Sequence, residues 1–226
     1  MIKAIFCDFY GTVVYEDDEP IKAIIERIYK SGYATSKKEI GTYWWQRFSA
    51  LCADSYSDSF RMQRELELQS LHETLERFGA KDDVVELSRL QFEYWKAPPI
   101  FVDSKPFFEK CPVPIFIVSN IDTADLNSAL KYHSLNPAGV VTSEEAQAYK
   151  PNQKIFKYAL NKFKLKPIEV IHVGDSITSD VIGARSAGIK PVWINRKGKS
   201  KTPDVVSQVT NLYSLIDEHG FIFDEH

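Results

Sequence analysis

Residues 2–7 form a short, nearly unbroken apolar run that stops at Asp8, and Gly11 with Thr12 supplies a turn just beyond it. A run of this length and character is a parallel strand buried on both faces. A carboxylate at the carboxyl end of such a strand stands where open α/β sheets put their chemistry. Taken alone, Asp8 reads equally well as a turn residue, since Asp often closes a strand in that way. Its meaning depends on whether the rest of the chain supplies partners.

The chain does not continue with a second strand. Glu16, Asp17, Asp18 and Glu19 precede Pro20, an acidic opening suited to the positive end of a helix dipole with proline at the first helical position. Ile21, Ile24, Ile25 and Ile28 then mark one helix face, ended by Gly32. Ile40, Trp44, Phe48 and Leu51 repeat at the same spacing, as do Leu68, Leu71, Leu75 and Phe78 before Gly79. A further helix is predicted over residues 82–96, with Val84, Leu87 and Tyr94 on one side, and Pro98-Pro99 closes the block. After it the rhythm changes. Apolar strands are predicted over 114–118, 139–142, 170–173 and 191–194, separated by helices over 123–133, 152–163 and 178–187, with a last helix over 212–218. Strand–helix alternation at this spacing means βαβ units and a parallel sheet covered by helices. The expected fold is therefore α/β, a Rossmann-like core of residues 1–15 and 99–226 interrupted by an all-helical cap at 16–98. A block inserted there would sit over the carboxyl edge of the sheet, where it would exclude water and select substrate.

Composition narrows the function classes. Charges are interspersed and sum to −3 over 226 residues, so no footprint for nucleic acid or an anionic membrane is present. Cys7, Cys52 and Cys111 are odd in number and far apart, which argues against a disulfide framework or structural zinc and for a reducing compartment. No basic-then-apolar leader and no long apolar run is seen, so the expectation is a soluble cytoplasmic protein acting on a small molecule, of open oligomeric state. The histidines show no metal-ligand spacing, and His172, inside a predicted strand, reads as a packed core residue. No Walker loop or GxGxxG follows any strand. The basic stretch Arg196-Lys197-Gly198-Lys199 reads as a solvated loop, and Phe221 and Phe223 as packing against the core.

Polar residues recur at the other strand ends. Ser119-Asn120 follows the strand at 114–118, Lys150-Pro151 precedes the helix at 152–163, and Gly174-Asp175-Ser176 follows the strand at 170–173, with Asp180 five residues beyond Asp175. Each has a bland reading as a turn, a cap or a solvated lysine. Together, on one edge of a parallel sheet, Asp8, Ser119, Lys150 and Asp175 converge.

This ordered set resembles the haloacid dehalogenase superfamily. Asp8-Phe9-Tyr10-Gly11-Thr12 is similar to its nucleophile motif, Ser119 to its second, Lys150-Pro151 to its third, and Gly174-Asp175 with Asp180 to its fourth. The resemblance runs from Ile2 to about Arg196 and implies a hydrolase with Asp8 as nucleophile and a cap inserted after the first motif. It implies Mg²⁺ held by Asp8, the Tyr10 carbonyl and Asp175. Ser119 and the Asn120 backbone would bind the phosphoryl oxygens, Lys150 would offset the carboxylates and the phosphoryl group, Asp180 would orient Lys150 or water ligands of the metal, and Thr12 would position Asp8.

Tyr10 departs from the phosphatase pattern, which has a second Asp there as acid and base. A phenol is protonated at neutral pH, so it can donate a proton but is a feeble base. Tyrosine at this place resembles the 2-haloacid dehalogenases, in which the Asp attacks carbon without metal. Residues 43–47 also resemble their aromatic–arginine stretch, with Arg47 as a substrate-binding, halide-accepting group. Against that, two carboxylates a few Å apart repel by about 4 kcal/mol at an effective dielectric near 20, unless a divalent cation joins them. Metal-free dehalogenases carry Ser where this chain has Asp175 and Asn where it has Ile177. The favoured expectation is a Mg²⁺-dependent phosphatase acting through an aspartyl-phosphate. A 2-haloacid dehalogenase and a weakly active or non-catalytic phosphate-binding homologue remain the alternatives.

Overall fold

The structure is a computed structural model that describes residues 1–200, 205, 207–217 and 220–221. Strand β1 (Ala4–Cys7) is followed by four helices, α1 (Asp18–Ser31), α2 (Lys37–Asp54), α3 (Gln63–Phe78) and α4 (Val84–Lys96). After α5 (Ser104–Lys110) come β2 (Ile115–Ser119), α6 (Thr123–His133), β3 (Gly139–Thr142), α7 (Ser143–Ala146) and α8 (Gln153–Phe163). Then follow β4 (Val170–Gly174), α9 (Gly183–Ser186), β5 (Lys190–Ile194), β6 (Gln208–Val209), β7 (Ile216–Asp217) and β8 (Gly220–Phe221).

Strands β1–β6 form one all-parallel sheet in the order β3-β2-β1-β4-β5-β6. The chain walks outward from β1 to β3, then crosses back to lay β4 on the other side of β1. That reversal places β1 at the switch point of the sheet, where the loops part and leave a crevice. The period-two alternation of β1 serves two cores. Ile5 and Cys7 join a cluster with Ile117, Val173 and Ile194, while Ala4 and Phe6 join one with Val118, Phe156 and Val170. A strand buried on both faces has no room for polar side chains until it ends, and Asp8 is where it ends.

The helical insert has a cluster of its own. Ile24, Ile28, Ile40, Trp44, Leu71, Leu75, Phe78 and Leu87 pack together from α1 to α4. Local chemistry starts these helices as the sequence implies: the Ser36 hydroxyl accepts from Glu39 N, and Asp83 accepts from Val85 N and Glu86 N. The two chain crossings between insert and sheet run side by side. Tyr15 N donates to the Pro99 carbonyl (2.9 Å), and the rings of Tyr15 and Phe101 stack at 3.9 Å.

Elsewhere the insert meets the core both through α4, whose Trp95, Phe92 and Tyr94 join the apolar cluster under the sheet, and through polar contacts. Helix α3 has no side-chain cap of its own at Met62; instead Asp122, just before α6, accepts from Gln63 N (2.7 Å) and Arg64 N (3.1 Å). Arg64 also forks onto Asp125 at 2.8 and 2.5 Å.

Four elements differ from the sequence expectation. The helix predicted over 212–218 is a single 3₁₀ turn, Leu212–Leu215, followed by β7 paired antiparallel with β8. Seven residues barely exceed the nucleation cost of a helix, and the Asn211 carboxamide, accepting from Ser214 N, closes a tighter turn that buries Leu212 and Leu215. The expected helix over 178–187 opens as a π-helical turn, Ile177–Ile182, before α9. Helix α5 and strand β6 are too short to leave a periodic signal. The basic stretch is not a free loop at Arg196, whose guanidinium donates twice to the Thr12 carbonyl, pairs with Asp103 at 3.0 Å and lies over the Phe101 ring. Phe223 and the side chain of Phe221 lie outside the described residues.

The external cap on α3 yields a test. Asp122→Ala removes both acceptors and is expected to lower the unfolding free energy by about 1–2 kcal/mol, read from the urea midpoint.

Candidate active site

Three strand ends and the loop before α8 meet above β1. Asp8 follows β1 directly, and its backbone N–H donates to Val173 O (2.8 Å), which ties it to β4. Ser119, the last residue of β2, donates its hydroxyl to Asp8 Oδ1 (3.1 Å). Lys150, buried at the start of the α8 approach, donates from Nζ to Asp8 Oδ1 and to Asp180 Oδ1, both at 2.6 Å. Two donors hold Oδ1, whereas Oδ2 receives only a long contact from Thr12 Oγ1 (3.4 Å) among the described residues. Oδ2 is thus the oxygen with lone pairs to spare.

The lysine is placed by its own backbone. Asn120 Oδ1 accepts from Lys150 N (2.7 Å) and Asn120 Nδ2 donates to Lys150 O (3.0 Å), a reciprocal pair that fixes the orientation of the amide. Asp180 is held in turn by Ser176 N on Oδ2 (3.0 Å) and by His172 Nε2 against Oδ1 (2.9 Å). The π-helical turn makes this reach: Asp180 N and Val181 N both bond Ser176 O, which swings the Asp180 carboxylate back toward Lys150. His172 is buried, as expected of a core residue, but it also touches the lysine's partner.

Asp175 completes the group. A carboxylate oxygen from each of Asp8, Asp175 and Asp180 can be found with all three within 4.8 Å of one another. Close approach requires two glycines. A Cβ on Gly11, which sits at φ +86°, would come within 2.6 Å of the Asp175 carboxyl, and one on Gly174 would lie 2.2 Å from Asp180 Cγ.

The electrostatics follow from burial and from the single ammonium among these groups. Burial works against a charged Lys150, but the Asp180 and Asp8 carboxylates overcome it and hold the amine well above its usual range. Burial likewise pushes Asp180 up, and Lys150 with the His172 bond more than reverses it, keeping this carboxyl below the ordinary value. Asp8 is raised, mainly by desolvation. Asp175 is raised well above the carboxylate range by burial and then by the charges of Asp8 and Asp180. Three carboxylates and one ammonium leave the cluster short of positive charge. Oxygen donors in this number suit a hard divalent cation such as Mg²⁺.

The other predicted residues are placed as follows. Tyr10 reaches away from Asp8: its hydroxyl donates to the Trp95 carbonyl at the end of α4 (2.6 Å), and burial raises its pKa further above 10. Arg47 does not reach the cleft. Its guanidinium is tied to Glu73 of α3 at 2.5 Å, whereas Trp44, Trp45 and Phe48 of the same helix line the cleft.

A cleft of about 520 Å³ opens over Asp8. Its sheet side carries Ser119, Lys150 and Asp175, and its insert side carries Asp17, Trp44, Gln63, Glu67 and Gln91. Glu67 and the two glutamines escaped the sequence reading, since a polar residue inside an amphipathic helix looks like its solvated face. Glu67 is 3% exposed, and burial with the nearby charge of Asp17 pushes its carboxyl up to about 8.

The sequence itself is recognisable at this point. The model of a family described as haloacid dehalogenase-like hydrolase matches residues 2–188. The chain belongs to the haloacid dehalogenase-like hydrolases. Among curated relatives of this hydrolase, the glyceraldehyde 3-phosphate phosphatase of Pyrococcus furiosus is 48% identical over 54 residues, 24% of this chain, and the match spans only 22% of that enzyme's length. The (S)-2-haloacid dehalogenase 1 of a Pseudomonas species is 25% identical over 95% of this chain and 93% of its own. The solved L-2-haloacid dehalogenase of Xanthobacter autotrophicus shares the fold, with a TM-score of 0.73 over 95% of this hydrolase and 97% of that chain at 17% identity. Relatives of both chemistries are therefore similar to this chain, and no helix among the described residues is long and apolar enough to cross a membrane.

Two outcomes test the electrostatics. Lys150→Met leaves Asp8 and Asp180 buried without their cation and is expected to lower stability by roughly 3–5 kcal/mol at neutral pH in chelator, measured by denaturant unfolding. Glu67 gives a pH signature. Its folded pKa lies above the ordinary 4.5, so the folded state keeps a proton that the unfolded chain has lost, and stability falls as pH rises from about 4.5 to about 8. Glu67→Gln is expected to abolish that part of the decline and to stabilise the protein at pH 8 by an amount on the order of a few kcal/mol.

Proposed function

We propose that this hydrolase is a Mg²⁺-dependent phosphatase in which Asp8 is the nucleophile, with the helical insert acting as a cap. The observation that carries the reading is Asp175, a third carboxylate beside Asp8 and Asp180 with one ammonium to balance all three. A carbon-attacking dehalogenase needs no such excess of negative charge, which raises the pKa of its own nucleophile. Asp8, Asp175 and the Tyr10 carbonyl would hold the cation. When bound, Mg²⁺ neutralises charge on the phosphoryl group and on the crowded carboxylates.

The residues divide the remaining work. Asp8 Oδ2 attacks phosphorus, the ester P–O bond breaks, and the alcohol leaves as an aspartyl-phosphate forms. Lys150 and Ser119 hold Oδ1, so the attacking carboxylate arrives in one orientation and pays little in entropy at the reaction. Ser119 and the Asn120 backbone would bind phosphoryl oxygens, while the Asn120 side chain positions Lys150. Asp180 keeps Lys150 charged and aimed. Thr12 steadies Oδ2. Water then cleaves the acyl phosphate, releasing phosphate and restoring Asp8.

Protonation of the leaving alcohol is the weak step. Tyr10 is engaged with the Trp95 carbonyl and is a poor base, so turnover favours leaving groups that need little protonation. The dehalogenase reading keeps the support of Tyr10 itself and of the full-length Pseudomonas relative.

The test compares p-nitrophenyl phosphate and 2-chloropropionate. Phosphate release that requires Mg²⁺, stops in chelator and is lost in Asp8→Asn is expected, together with no halide release. Chelator-resistant halide release with no phosphatase activity overturns the proposal. Tyr10→Asp is expected to raise turnover of poor leaving groups by about 10²-fold or more, the usual contribution of a positioned acid–base group.

A further inference from the structure

The polar groups on the insert side of the cleft are Asp17, Gln63, Glu67 and Gln91, set among apolar and aromatic side chains. The Gln63 and Gln91 side chains are both more than nine-tenths buried, both line the cleft, and the Oε1 atom of each has no hydrogen-bond partner. The orientation of Gln91 is settled, because its Nε2 donates to Asp17 Oδ2 at 2.6 Å and so leaves the carbonyl oxygen as the free end. Buried carbonyls without donors cost free energy, and a ligand that supplies the missing hydrogen bond recovers it.

Two carboxyl groups share this wall. Asp17 accepts from Gln91 Nε2 and from Trp95 Nε1 (2.8 Å), and Glu67 lies buried beside them. No basic residue of the insert lines the cleft. The basic residues on its described lining, Lys150 and Lys199, both follow β3 in the chain, and Lys150 is already committed to Asp8 and Asp180. Trp44, Trp45 and Phe48 add aromatic surface, which receives a cation far better than an anion. A free carboxylate entering against the insert side would meet Asp17 and Glu67 with no basic residue of the insert to receive it.

We propose that the insert wall formed by Gln63, Glu67, Gln91 and Asp17 is a subsite for an ammonium group, so that the phosphate esters accepted by this enzyme are those of amino alcohols. The assignment rests on the phosphatase reading only for the identity of the reacting end. The subsite itself is argued from the wall. An ammonium group supplies three N–H donors, which match the two unpartnered amide oxygens and the Glu67 carboxyl. It also explains why a buried glutamate stands at this point: an approaching cation turns its neutral, destabilising carboxyl into the charged half of an ion pair. Such a substrate also suits the weak acid–base step. An ammonium two carbons from the ester oxygen withdraws electron density and makes the departing alcohol less basic, so it leaves with less help from a proton donor.

The experiment separates the subsite from the reaction. Ethanolamine, n-propanol and glycolate are nearly isosteric alcohols that end in a cation, a methyl group and an anion. Titrated calorimetrically into the full chain, ethanolamine is expected to bind about tenfold or more tighter than n-propanol, with glycolate weakest, as a buried charge pair predicts. Glu67→Gln is expected to remove the preference for ethanolamine and leave n-propanol unchanged. In the Mg²⁺-loaded enzyme, kcat/KM is expected to fall from phosphoethanolamine to propyl phosphate to phosphoglycolate. Equal binding of ethanolamine and n-propanol by the wild type, or tighter binding of glycolate, overturns the subsite, whatever the variant does. Hydrolysis of all three phosphates without preference overturns it too and leaves the phosphatase reading standing. Ethanolamine binding with no hydrolysis of any phosphate supports the subsite and removes the phosphatase reading instead.

Discussion

Lys150 is the contact on which the arrangement above the sheet depends. Two carboxylates that meet at a few Å repel by several kcal/mol in a protein interior, and Asp8 and Asp180 meet because one ammonium stands 2.6 Å from each. Everything around it serves to keep that ammonium in place. Asn120 grips the lysine's own peptide groups, Ser176 N and His172 fix the far carboxylate, and the widened helical turn after β4 brings Asp180 within reach. Elements separated by 30 to 142 residues are thereby locked to one another by a handful of directional bonds. The two glycines at 11 and 174 are the steric counterpart of this electrostatic design, since a methyl group at either would push the carboxylates apart.

The same balance leaves Asp175 without an ammonium. Burial first, and then the charges of Asp8 and Asp180, raise its pKa at a site whose positive charge is already taken. On the other side of the cleft the pattern repeats in weaker form, with Glu67 held neutral by burial and two amide oxygens left open. Both walls keep destabilising polar groups that an apolar residue would relieve. Retention of such groups is what pre-organisation looks like before a ligand arrives: stability is given up in the free protein and recovered on binding.

Much of this was legible in the chain, because its signals are local and periodic. The apolar run before Asp8, the block of helical repeats from Ile21 to Phe78 and the later strand–helix alternation each follow from burial on one or two faces, and they specify the architecture without knowledge of contacts. Asp8, Ser119, Lys150 and Asp175 stood out because parallel strands carry all their carboxyl ends to one edge. What stayed hidden depends on three-dimensional register. Arg47 shares a helix face with Trp44, three residues before it, yet its guanidinium is taken by Glu73 of α3, a partner that no local pattern in the sequence marks. Glu67 and Gln91 carry no mark that distinguishes them from surface residues. Arg196 looked like one of several solvated cations, whereas Thr12, Asp103 and Phe101 anchor it from positions about 90 to 180 residues away.

The central place of β1 has a consequence for how the molecule is made. Its two neighbours in the sheet, β2 and β4, are synthesised long after it, with the whole helical insert in between. The insert carries a cluster drawn from its own helices and can compact as it leaves the ribosome. The first strand, apolar throughout and leading directly into Asp8, must meanwhile wait unpaired for more than a hundred residues. Assembly of the reactive centre is therefore among the last events of folding, and nascent chains stalled before β4 expose an aggregation-prone edge that a chaperone would have to shield.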